Sequence, residues 1–475
     1  MTLIKFKRLL PFLLVIVFVL SACQSSNRIY TGYKNKYMIN VYYKPDENSI
    51  FGSEKLSYKN TENIKLDKIY FHLYPNFYRN EDKISAMGNI NSIYPEGFNP
   101  GQIDVIDAQV DNKTVKWDIE SQDKTILCLN FTRPVNINQK IEIKIDFQEK
   151  LPYAYTAFGT FNGIACFENW YPVLCVYDSG GWHKEAGSAI GEPNFSEVAD
   201  YEVEINVPKS EIVASSGKCI KEKDLDLGRK SLKLKADSVR DFTWFSSKFF
   251  DISQKKFNGV TIKSYFFSKD AAMGIKAIEY AKNAVKLFSD KFGKYPYDTF
   301  SVVETYLYGG AMEYPTITSV GRQYYENKDS KLLESAVAHE TSHQWWYVTV
   351  GNNEYKEPWL DEAMATYSEY MYFEKYYGDD DLTQRLQTGI KNSNKHPGDS
   401  VDKFRNIDEY NNTVYLKGAY IIDEFRKKVG DSLFIETMKG YYDKYKFKNA
   451  SISDFLDIVK NVCGSETAEF IRSRL

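Results

Sequence analysis

The hydrophobic pattern of the chain changes near residue 270. Before that point apolar and polar residues mostly alternate, as in residues 38–43, 140–145 and 201–207. This period of two is typical of strands with one buried face, and turn signals recur between the segments, as at residues 94–97. The first half therefore predicts an antiparallel β domain.

Beyond residue 270 the apolar spacing becomes mainly helical. A first helix is predicted by Ala272, Ile275, Ile278, Ala281, Val285 and Phe288. Two β-rich pieces follow at 299–305 and 316–320, and then helices are predicted at about 330–348, 359–377, 380–392, 411–428, 431–445 and 451–462. The pattern as a whole indicates the α+β class, with a β domain followed by a mainly α domain.

The N-terminus has the pattern of an export signal. Three basic residues up to Arg8 precede an apolar run, Leu9 to Leu20, that is too short to span a bilayer comfortably. The run ends in Leu-Ser-Ala-Cys23, which resembles a bacterial lipobox. We expect cleavage of residues 1–22, acylation of Cys23, a lipid-anchored tether at 23–29, and a location on the extracytoplasmic face of the cell membrane. The alternatives are a plain cleaved signal or an uncleaved anchor.

The net charge and the cysteine count limit which partners and which disulfides can be expected. The 475 residues carry a formal net charge of -3, and no basic stripe stands out, so we do not expect nucleic acid as a partner. Five cysteines remain after Cys23, so at least one stays free or pairs elsewhere. A Cys166–Cys175 disulfide is one option in an exported protein, but spacing does not fix the connectivity.

The clearest chemistry lies at His339-Glu340-Thr341-Ser342-His343. Residues four apart share one face of a helix, so two imidazoles can reach one metal ion while Glu340 reaches its water. A helix can also carry two histidines without any metal. The chain has only five histidines, however, and a buried cluster of imidazoles and a carboxylate is costly unless it is paired or bound to metal. We therefore predict a Zn²⁺ site.

A third ligand is needed, because catalytic zinc takes three protein ligands and keeps one open position. Glu362 is the natural candidate, since eighteen residues after His343 leave room for one helix to end and another to begin near Pro358. Taken alone, Glu362 would be an ordinary acidic residue in a first helical turn. Its position after the two histidines favours the ligand interpretation.

This combination resembles the M1 family of zinc metallopeptidases, the gluzincin aminopeptidases. H-E-x-x-H, eighteen residues and then Glu362 match the family's zinc motif. Gly310-Ala311-Met312-Glu313-Tyr314 resembles its G-x-M-E-N exopeptidase motif, and Tyr415-Leu416-Lys417-Gly418-Ala419 resembles the segment with its catalytic tyrosine. The likeness covers most of the mature chain, as in a short bacterial lipoprotein form of the family, and is strongest from about 265 to 428.

The resemblance implies a fold and a set of roles. It implies a saddle-like β sandwich at 30–255 and a thermolysin-like peptidase domain at 256–475. His339, His343 and Glu362 would bind Zn²⁺, while Glu340 acts as general base on a zinc-activated water. Tyr415 would stabilise the oxyanion. Glu313 would bind the α-amine of a peptide with a free N-terminus, in a substrate-binding segment formed with Gly310, Ala311 and Met312.

Some features depart from the family pattern or stay open. Tyr314, Tyr347, Asp361 and Ala363 replace commoner residues of the motifs, although each catalytic group is kept. The chain ends at Leu475, about where the family's catalytic domain ends, so we expect no C-terminal helical domain and a more open cleft. Glu369 could support a metal-bound histidine or simply face solvent. An endopeptidase or dipeptidyl-type peptidase, or a non-catalytic surface binding protein on the same scaffold, remain alternative functions.

Overall fold

A computed structural model describes residues 33–185, 187–327, 329–378 and 390–475. The predicted signal peptide, Cys23, the tether and most of the helix expected at 380–392 lie outside the described residues. Among the helices that are described, we find none with the length and apolar character needed to cross a membrane.

The β half of the molecule runs from Asn35 to Ser247. Its strands are β1 (Asn35–Lys44), β2 (Ser49–Lys59), β3 (Leu66–His72), β4 (Gln102–Val110), β5 (Lys113–Thr114), β6 (Lys116–Ile119), β7 (Ile126–Val135), β8 (Lys140–Lys150), β9 (Phe158–Phe161), β10 (Ile164–Phe167), β11 (Val173–Leu174), β12 (Tyr177–Asp178), β13 (Gly181–Trp182), β14 (Ala199–Pro208), β15 (Ile212–Ser215), β16 (Lys218–Asp224), β17 (Arg229–Val239) and β18 (Trp244–Ser247). Two short helices, α1 (Glu81–Ser85) and α2 (Ile90–Ile93), and 3₁₀ turns at Pro45–Glu47 and Tyr74–Arg79 interrupt them.

Alternating burial forms the core of the β half. An eight-stranded sheet has the order β16-β17-β14-β1-β2-β8-β4-β5, and four-stranded sheets have the orders β15-β18-β10-β9 and β11-β3-β7-β6. Every second residue of β1, from Tyr37 to Tyr43, is buried, and the same holds for β8 and β14. The pairing is antiparallel apart from β1 with β14, which run parallel. The α+β prediction with an N-terminal β domain is confirmed.

The helical half begins with a strand. Its strands are β19 (Phe250–Phe257), β20 (Val260–Phe267), β21 (Thr299–Thr305), β22 (Ala311–Met312), β23 (Ile317–Gly321), β24 (Val350–Gly351) and β25 (Lys448–Asn449). Its helices are α3 (Ala271–Lys291), α4 (Arg322–Glu326), α5 (Ser330–Ser342), α6 (Trp359–Tyr377), α7 (Ile407–Tyr410), α8 (Gly418–Tyr445), α9 (Ile452–Cys463) and α10 (Ser465–Arg472), with 3₁₀ turns at Ser268–Asp270 and Val401–Lys403 and a π-helix at Asn411–Lys417.

One mixed sheet supports the motif-bearing segments of this half. Its order is β19-β20-β21-β23-β22, so β22 lies at an edge. The apolar face of α3, including Ile278, Val285 and Phe288, packs in one core with α5 and α6. Because β19 starts at Phe250 and pairs with β20, this sheet begins before residue 255. The exact domain boundary at 255/256 stays a prediction.

Arg240 ties the two halves together. Arg240 is 1% exposed. Its guanidinium donates to the carbonyl oxygens of Tyr347 (2.5 Å), Ser196 (2.8 Å) and Lys448 (2.6 Å), and also to the side chain of Asn449. A buried arginine with four acceptors replaces the water it has lost. The loop after α5 is thereby fixed against the β half.

The cysteines beyond Cys23 do not form disulfides. Cys128, Cys166, Cys175, Cys219 and Cys463 are free thiols. A Cys166–Cys175 disulfide, one option left open by the sequence, is therefore absent from the described chain. Cys166 and Cys175 are both buried, and free cysteine packs there as a small apolar residue.

Candidate metal centre

Helix α5 carries both histidines of the motif. The Asp329 carboxylate caps its first turn by accepting from the Lys331 backbone N–H (3.0 Å), while Leu333 and Val337 face the core. The helix ends at Ser342 rather than near 348. The Thr349 hydroxyl donates to the Gln344 carbonyl oxygen (2.6 Å), and Tyr347 has a positive φ of 102°, so the chain turns away there.

The two histidines and Glu362 bring three ligand atoms together. His339 Nε2 lies 3.2 Å from His343 Nε2, and each of these nitrogens lies 3.4 Å from Glu362 Oε2. Glu362 comes from the first turn of α6, where its backbone N–H donates to the Asp361 carboxylate (2.7 Å). Burial raises the pKa of the Glu362 carboxyl, but hydrogen bonds from the two histidines outweigh burial and hold it at about 2.

These separations fit a zinc ion. Zn–N and Zn–O bonds of about 2.0–2.1 Å in a tetrahedron place neighbouring ligand atoms about 3.3 Å apart. The three observed separations, 3.2, 3.4 and 3.4 Å, match this value. A His₂Glu set is also a ligand set of catalytic zinc, in which the fourth position stays open.

Outer partners fix the orientation of both imidazoles. His339 Nδ1 lies 3.4 Å from Glu369 Oε2, and His343 Nδ1 lies 3.1 Å from the Trp346 carbonyl oxygen. Each ring therefore directs its Nε2 atom to the common point and its Nδ1 atom to an acceptor, the usual arrangement around a metal. Glu369 is 8% exposed, so of the two interpretations open for it, the solvated helix face does not apply.

Glu340 faces the same point without belonging to the ligand triplet. It is 7% exposed, and its Oε2 atom has no hydrogen-bond partner among the described residues. Burial and the nearby Glu313 carboxylate raise the pKa of Glu340 to about 8. A carboxyl group with a pKa near neutrality is suited to accept a proton and release it again.

Tyr415 lies on a π-helix beside the point where the ligand atoms of His339, His343 and Glu362 meet. Its hydroxyl donates to Glu362 Oε1, and its ring lies parallel to His339 at a centroid distance of 5.9 Å. The sequence predicts an ordinary helix here, but residues 411–417 follow the wider π spacing, which is often found at functional sites. Gly418 follows because a Cβ there would lie 2.7 Å from Ala363 Cβ on α6. Burial raises the pKa of Tyr415 well above its usual value, so the hydroxyl keeps its proton.

Glu313 is placed by an edge strand and by Gln344. The preceding residues Ala311 and Met312 form β22, whose outer side is unpaired in the sheet order. Gln344, directly after the zinc motif, accepts from the Thr316 N–H (2.9 Å) and donates to the Tyr314 carbonyl oxygen (3.0 Å). Glu313 is 3% exposed and lies within 4.8 Å of Glu340 and His343, measured between their ligand atoms. The structure thus gathers all the predicted metal-binding and catalytic side chains and Glu313 around one point.

Two further carboxylates at the site were missed by the sequence analysis. Glu192 belongs to residues 187–198, part of the connection from β13 to β14 in the β half, and Glu354 lies between α5 and α6. Together with Glu313, each offers one oxygen, and these oxygens lie within 4.8 Å of one another. Glu354 sits inside the spacing between His343 and Glu362, which was a usable signal, but nothing in the local sequence marks Glu192.

Known proteins with a similar fold carry zinc. The M1 zinc metallopeptidase from Deinococcus radiodurans superposes with a TM-score of 0.68 at 17% identity, covering 92% of this chain and 93% of that one. A mutant of that protein bound to a Tyr-Ser-Ala substrate also superposes with a TM-score of 0.68, at 17% identity and over 93% of each chain. Identity this low establishes the fold alone. The fold is therefore that of M1 zinc metallopeptidases.

Sequence comparison finds a similar domain in the second half of the chain. Residues 276–473 match the peptidase family M1 domain. Probable aminopeptidase 1 of Sulfurisphaera tokodaii is 29% identical over 219 residues, 42% of this chain and 28% of that protein. Aminopeptidase N of Lactobacillus helveticus is 25% identical over 219 residues, 42% of this chain and 26% of that protein. This part of the chain is similar to the peptidase family M1 domain, and the prediction of Zn²⁺ as the cofactor is confirmed. The matches span less than a third of the length of these curated relatives.

Proposed function

We propose that this protein is a zinc-dependent aminopeptidase that removes N-terminal residues from peptides. The observation that carries the proposal is the position of Glu313, buried within 4.8 Å of His343 and Glu340. A fixed carboxylate beside the zinc ligands would bind the protonated α-amine and set the scissile bond one residue away. Family M1 relatives named as aminopeptidases support the same activity.

The chain's own residues supply the proton transfers. When bound by His339, His343 and Glu362, zinc polarises a substrate carbonyl and lowers the pKa of a water molecule. Glu340 takes a proton from the attacking water and passes it to the leaving amine, as its position beside His343 permits.

Substrate orientation and oxyanion stabilisation complete the mechanism. The neutral Tyr415 hydroxyl donates a hydrogen bond to the oxyanion that develops on the former carbonyl oxygen. The outer edge of β22 pairs with the extended peptide backbone, in the manner of strand addition.

A substrate panel tests the proposal. Aminoacyl reporter substrates and short peptides are assayed with free and with acetylated N-termini, with and without a chelator. We expect hydrolysis of free N-termini alone, loss with chelator, and recovery with zinc. Equal cleavage of acetylated peptides would indicate an endopeptidase, and no hydrolysis by zinc-loaded protein would contradict an enzymatic role. Glu340→Gln, which keeps the zinc ligands, is the matched inactive control.

The location is a separate part of the proposal. The Leu-Ser-Ala-Cys23 sequence after a basic and apolar leader supports acylation of Cys23 and attachment to the extracytoplasmic face of a membrane. Mass spectrometry of the mature N-terminal peptide should find a diacylglycerol-modified Cys23, and Cys23→Ala should release the protein from membranes. An unmodified Cys23 in membrane-bound protein would contradict the anchor.

A further inference from the structure

Two lysines lie directly opposite each other beside Tyr33, the first residue that the structure describes. Lys59, at the end of β2, pairs with Lys140, at the start of β8. Their Nζ atoms lie 5.8 and 5.3 Å from the centre of the Tyr33 ring, and neither forms an ion pair with a carboxylate of the described residues. Like charges directly opposite on two strands destabilise a sheet, so this pair favours an anionic partner from outside the fold.

Two loops beside these lysines expose isoleucine side chains. Residues 60–65 connect β2 to β3, and residues 136–139 connect β7 to β8. Ile64 is 45% exposed and Ile137 is 47% exposed, although isoleucine is among the residues most often buried. Residues 59–65 and 133–140 together carry four basic residues and one acidic residue, in a chain whose formal net charge is -3. We call the following set the basic apolar patch: Lys59, Ile64, Lys65, Arg133, Ile137 and Lys140.

A buried asparagine holds the two loops side by side. Asn60 is 0% exposed, and its Nδ2 atom donates to carbonyl oxygens in both loops, those of Ile64 (2.8 Å) and Asn136 (3.3 Å). Its backbone N–H donates to the Gln139 carbonyl oxygen (3.0 Å), and its own carbonyl oxygen accepts from the Asn138 N–H (2.8 Å). A buried side chain with this many partners fixes the backbone around it. The fold therefore sets the position of both exposed isoleucines.

We propose that the basic apolar patch binds the surface of an anionic phospholipid membrane and sets the orientation of the protein on it. The inference rests on the proposed membrane location and adds a second contact to the anchor at Cys23. Lysine and arginine side chains are attracted to anionic headgroups. Exposed isoleucines gain free energy when they enter the boundary between the headgroups and the acyl chains.

The position of the patch in the chain favours a lipid surface as its partner. Tyr33 is ten residues after Cys23, and even a fully extended chain of that length spans only about 35 Å. An acylated Cys23 therefore keeps the Tyr33 end of the β half close to the membrane, and Lys59 and Lys140 lie at that end. Acyl chains hold a protein at a membrane without setting its orientation. Contact through the patch supplies the orientation, because its loops are fixed to the β half.

Vesicle binding by a chain without the anchor tests the patch independently of acylation. The chain from Gln24 to Leu475 keeps every strand and helix that the structure describes, and its zinc content and thermal unfolding check its fold. We expect it to bind vesicles of phosphatidylcholine mixed with phosphatidylglycerol, and to bind pure phosphatidylcholine vesicles much less. Added salt should weaken the binding, because it screens the attraction between lysines and headgroups.

Variants of the patch locate the effect. Lys59→Gln and Lys140→Gln should each weaken binding to the mixed vesicles about five-fold. Ile64→Ser and Ile137→Ser should each weaken it about five- to ten-fold, because an exposed isoleucine side chain no longer leaves water. All four changes lie at the surface or remove a like-charge pair, so the fold should be kept.

Exposed side chains of α3 provide the matched controls. Ile275→Ser and Lys276→Gln change an exposed isoleucine and an exposed lysine of the helical half, and they should leave vesicle binding intact. Cys219→Ser removes the exposed native thiol, so that a fluorophore can be placed on Asn138→Cys or on Lys276→Cys. Brominated lipid in the mixed vesicles should quench the first fluorophore and not the second.

Four results would count against the patch or against the anchor. No binding to the mixed vesicles, or equal binding by the patch and control variants, would overturn the proposal. Binding that depends on the lysines but not on the isoleucines would overturn it by making the patch a site for soluble polyanions. Self-association in place of vesicle binding, lost in Ile137→Ser, would assign the patch to a second copy of the chain. Vesicle binding together with an unmodified Cys23 in the native protein would contradict the proposed anchor and leave the patch standing.

Discussion

The two halves of the molecule both bury carboxyl groups, but in opposite arrangements. In the β half, Glu54 on β2 and Glu149 on β8 are 0% and 3% exposed, and neither carboxyl group has a hydrogen-bond partner. Burial alone raises the pKa of each well above its usual value, which favours the protonated, uncharged form. In the helical half, Glu313, Glu340 and Glu362 instead face two histidines around one point.

Isolated buried carboxyl groups only destabilise the fold, whereas grouped carboxyl groups can bind a cation. An isolated buried carboxyl group avoids charge by keeping its proton and forms no stabilising interaction. Grouped carboxylates repel one another, and that repulsion becomes useful only when a cation enters. The helical half provides for two such cations, a zinc ion at the His₂Glu triplet and, in our proposal, the substrate ammonium. Substitution of these carboxyl groups should therefore lower activity or zinc affinity in the helical half, but raise the stability of the fold in the β half.

The largest effect is expected at Glu340. Glu340→Gln removes the group that carries the proton from water to the leaving amine, so kcat should fall about 10²- to 10⁴-fold. Zinc content should stay at one per chain, because Glu340 is outside the ligand triplet. A variant with nearly full kcat would show that another group acts as the base.

Tyr415→Phe comes next. Loss of one donor to the oxyanion should lower kcat about 10²- to 10³-fold and change KM little, because the interaction forms mainly in the transition state. Steady-state kinetics on one aminoacyl substrate separates the two constants. A rise in KM at constant kcat would instead assign the hydroxyl to ground-state binding.

Only some of the residues at this site could be predicted from the sequence. His339, His343 and Glu362 could be predicted because helical spacing fixes two ligands and the third follows a short connection. The π-helix under Tyr415 could not, since the apolar spacing of residues 411–417 does not distinguish it from an ordinary helix. Glu192 was equally hidden, because its place beside Glu313 depends on a long-range contact from the β half. The overall α+β architecture could be predicted from hydrophobic periodicity, because both cores are built from regular strands and helices.

A smaller effect, on zinc affinity, is expected at Glu369, which contacts the Nδ1 atom of the ligand His339. Glu369→Gln weakens the acceptor at His339 Nδ1, so zinc affinity should fall about ten- to hundred-fold. Competition with a chelator of known affinity measures it. Glu436→Gln, exposed on α8, is the matched control and should not change the affinity. An unchanged value for Glu369→Gln would return that residue to a purely structural role.

The last effect is a gain in stability rather than a loss of activity, and it lies in the β half. The folded-state pKa of Glu149 is raised, so its penalty is absent below the unfolded value near 4.3 and grows as pH rises toward the folded value. Glu149→Gln should therefore leave stability unchanged near pH 4 and increase it by about 1.4 kcal/mol per pH unit above pH 5.

Thermal unfolding from pH 4 to pH 8 measures this gain, and Glu54→Gln should behave alike. A variant that is less stable than the wild type at pH 8 would mean that the buried carboxyl group has a partner or a ligand. The contrast between the two halves would then fail.

The most direct test of the account is the ratio of kcat/KM for a free peptide to that for its N-acetylated form, in wild type and in Glu313→Gln. The wild type should strongly prefer the free N-terminus. Glu313→Gln should reduce the ratio at least about ten-fold, mainly by losing activity on the free peptide. An unchanged ratio in a zinc-loaded, folded variant would contradict the assignment of Glu313 as the anchor that makes this metal centre an aminopeptidase.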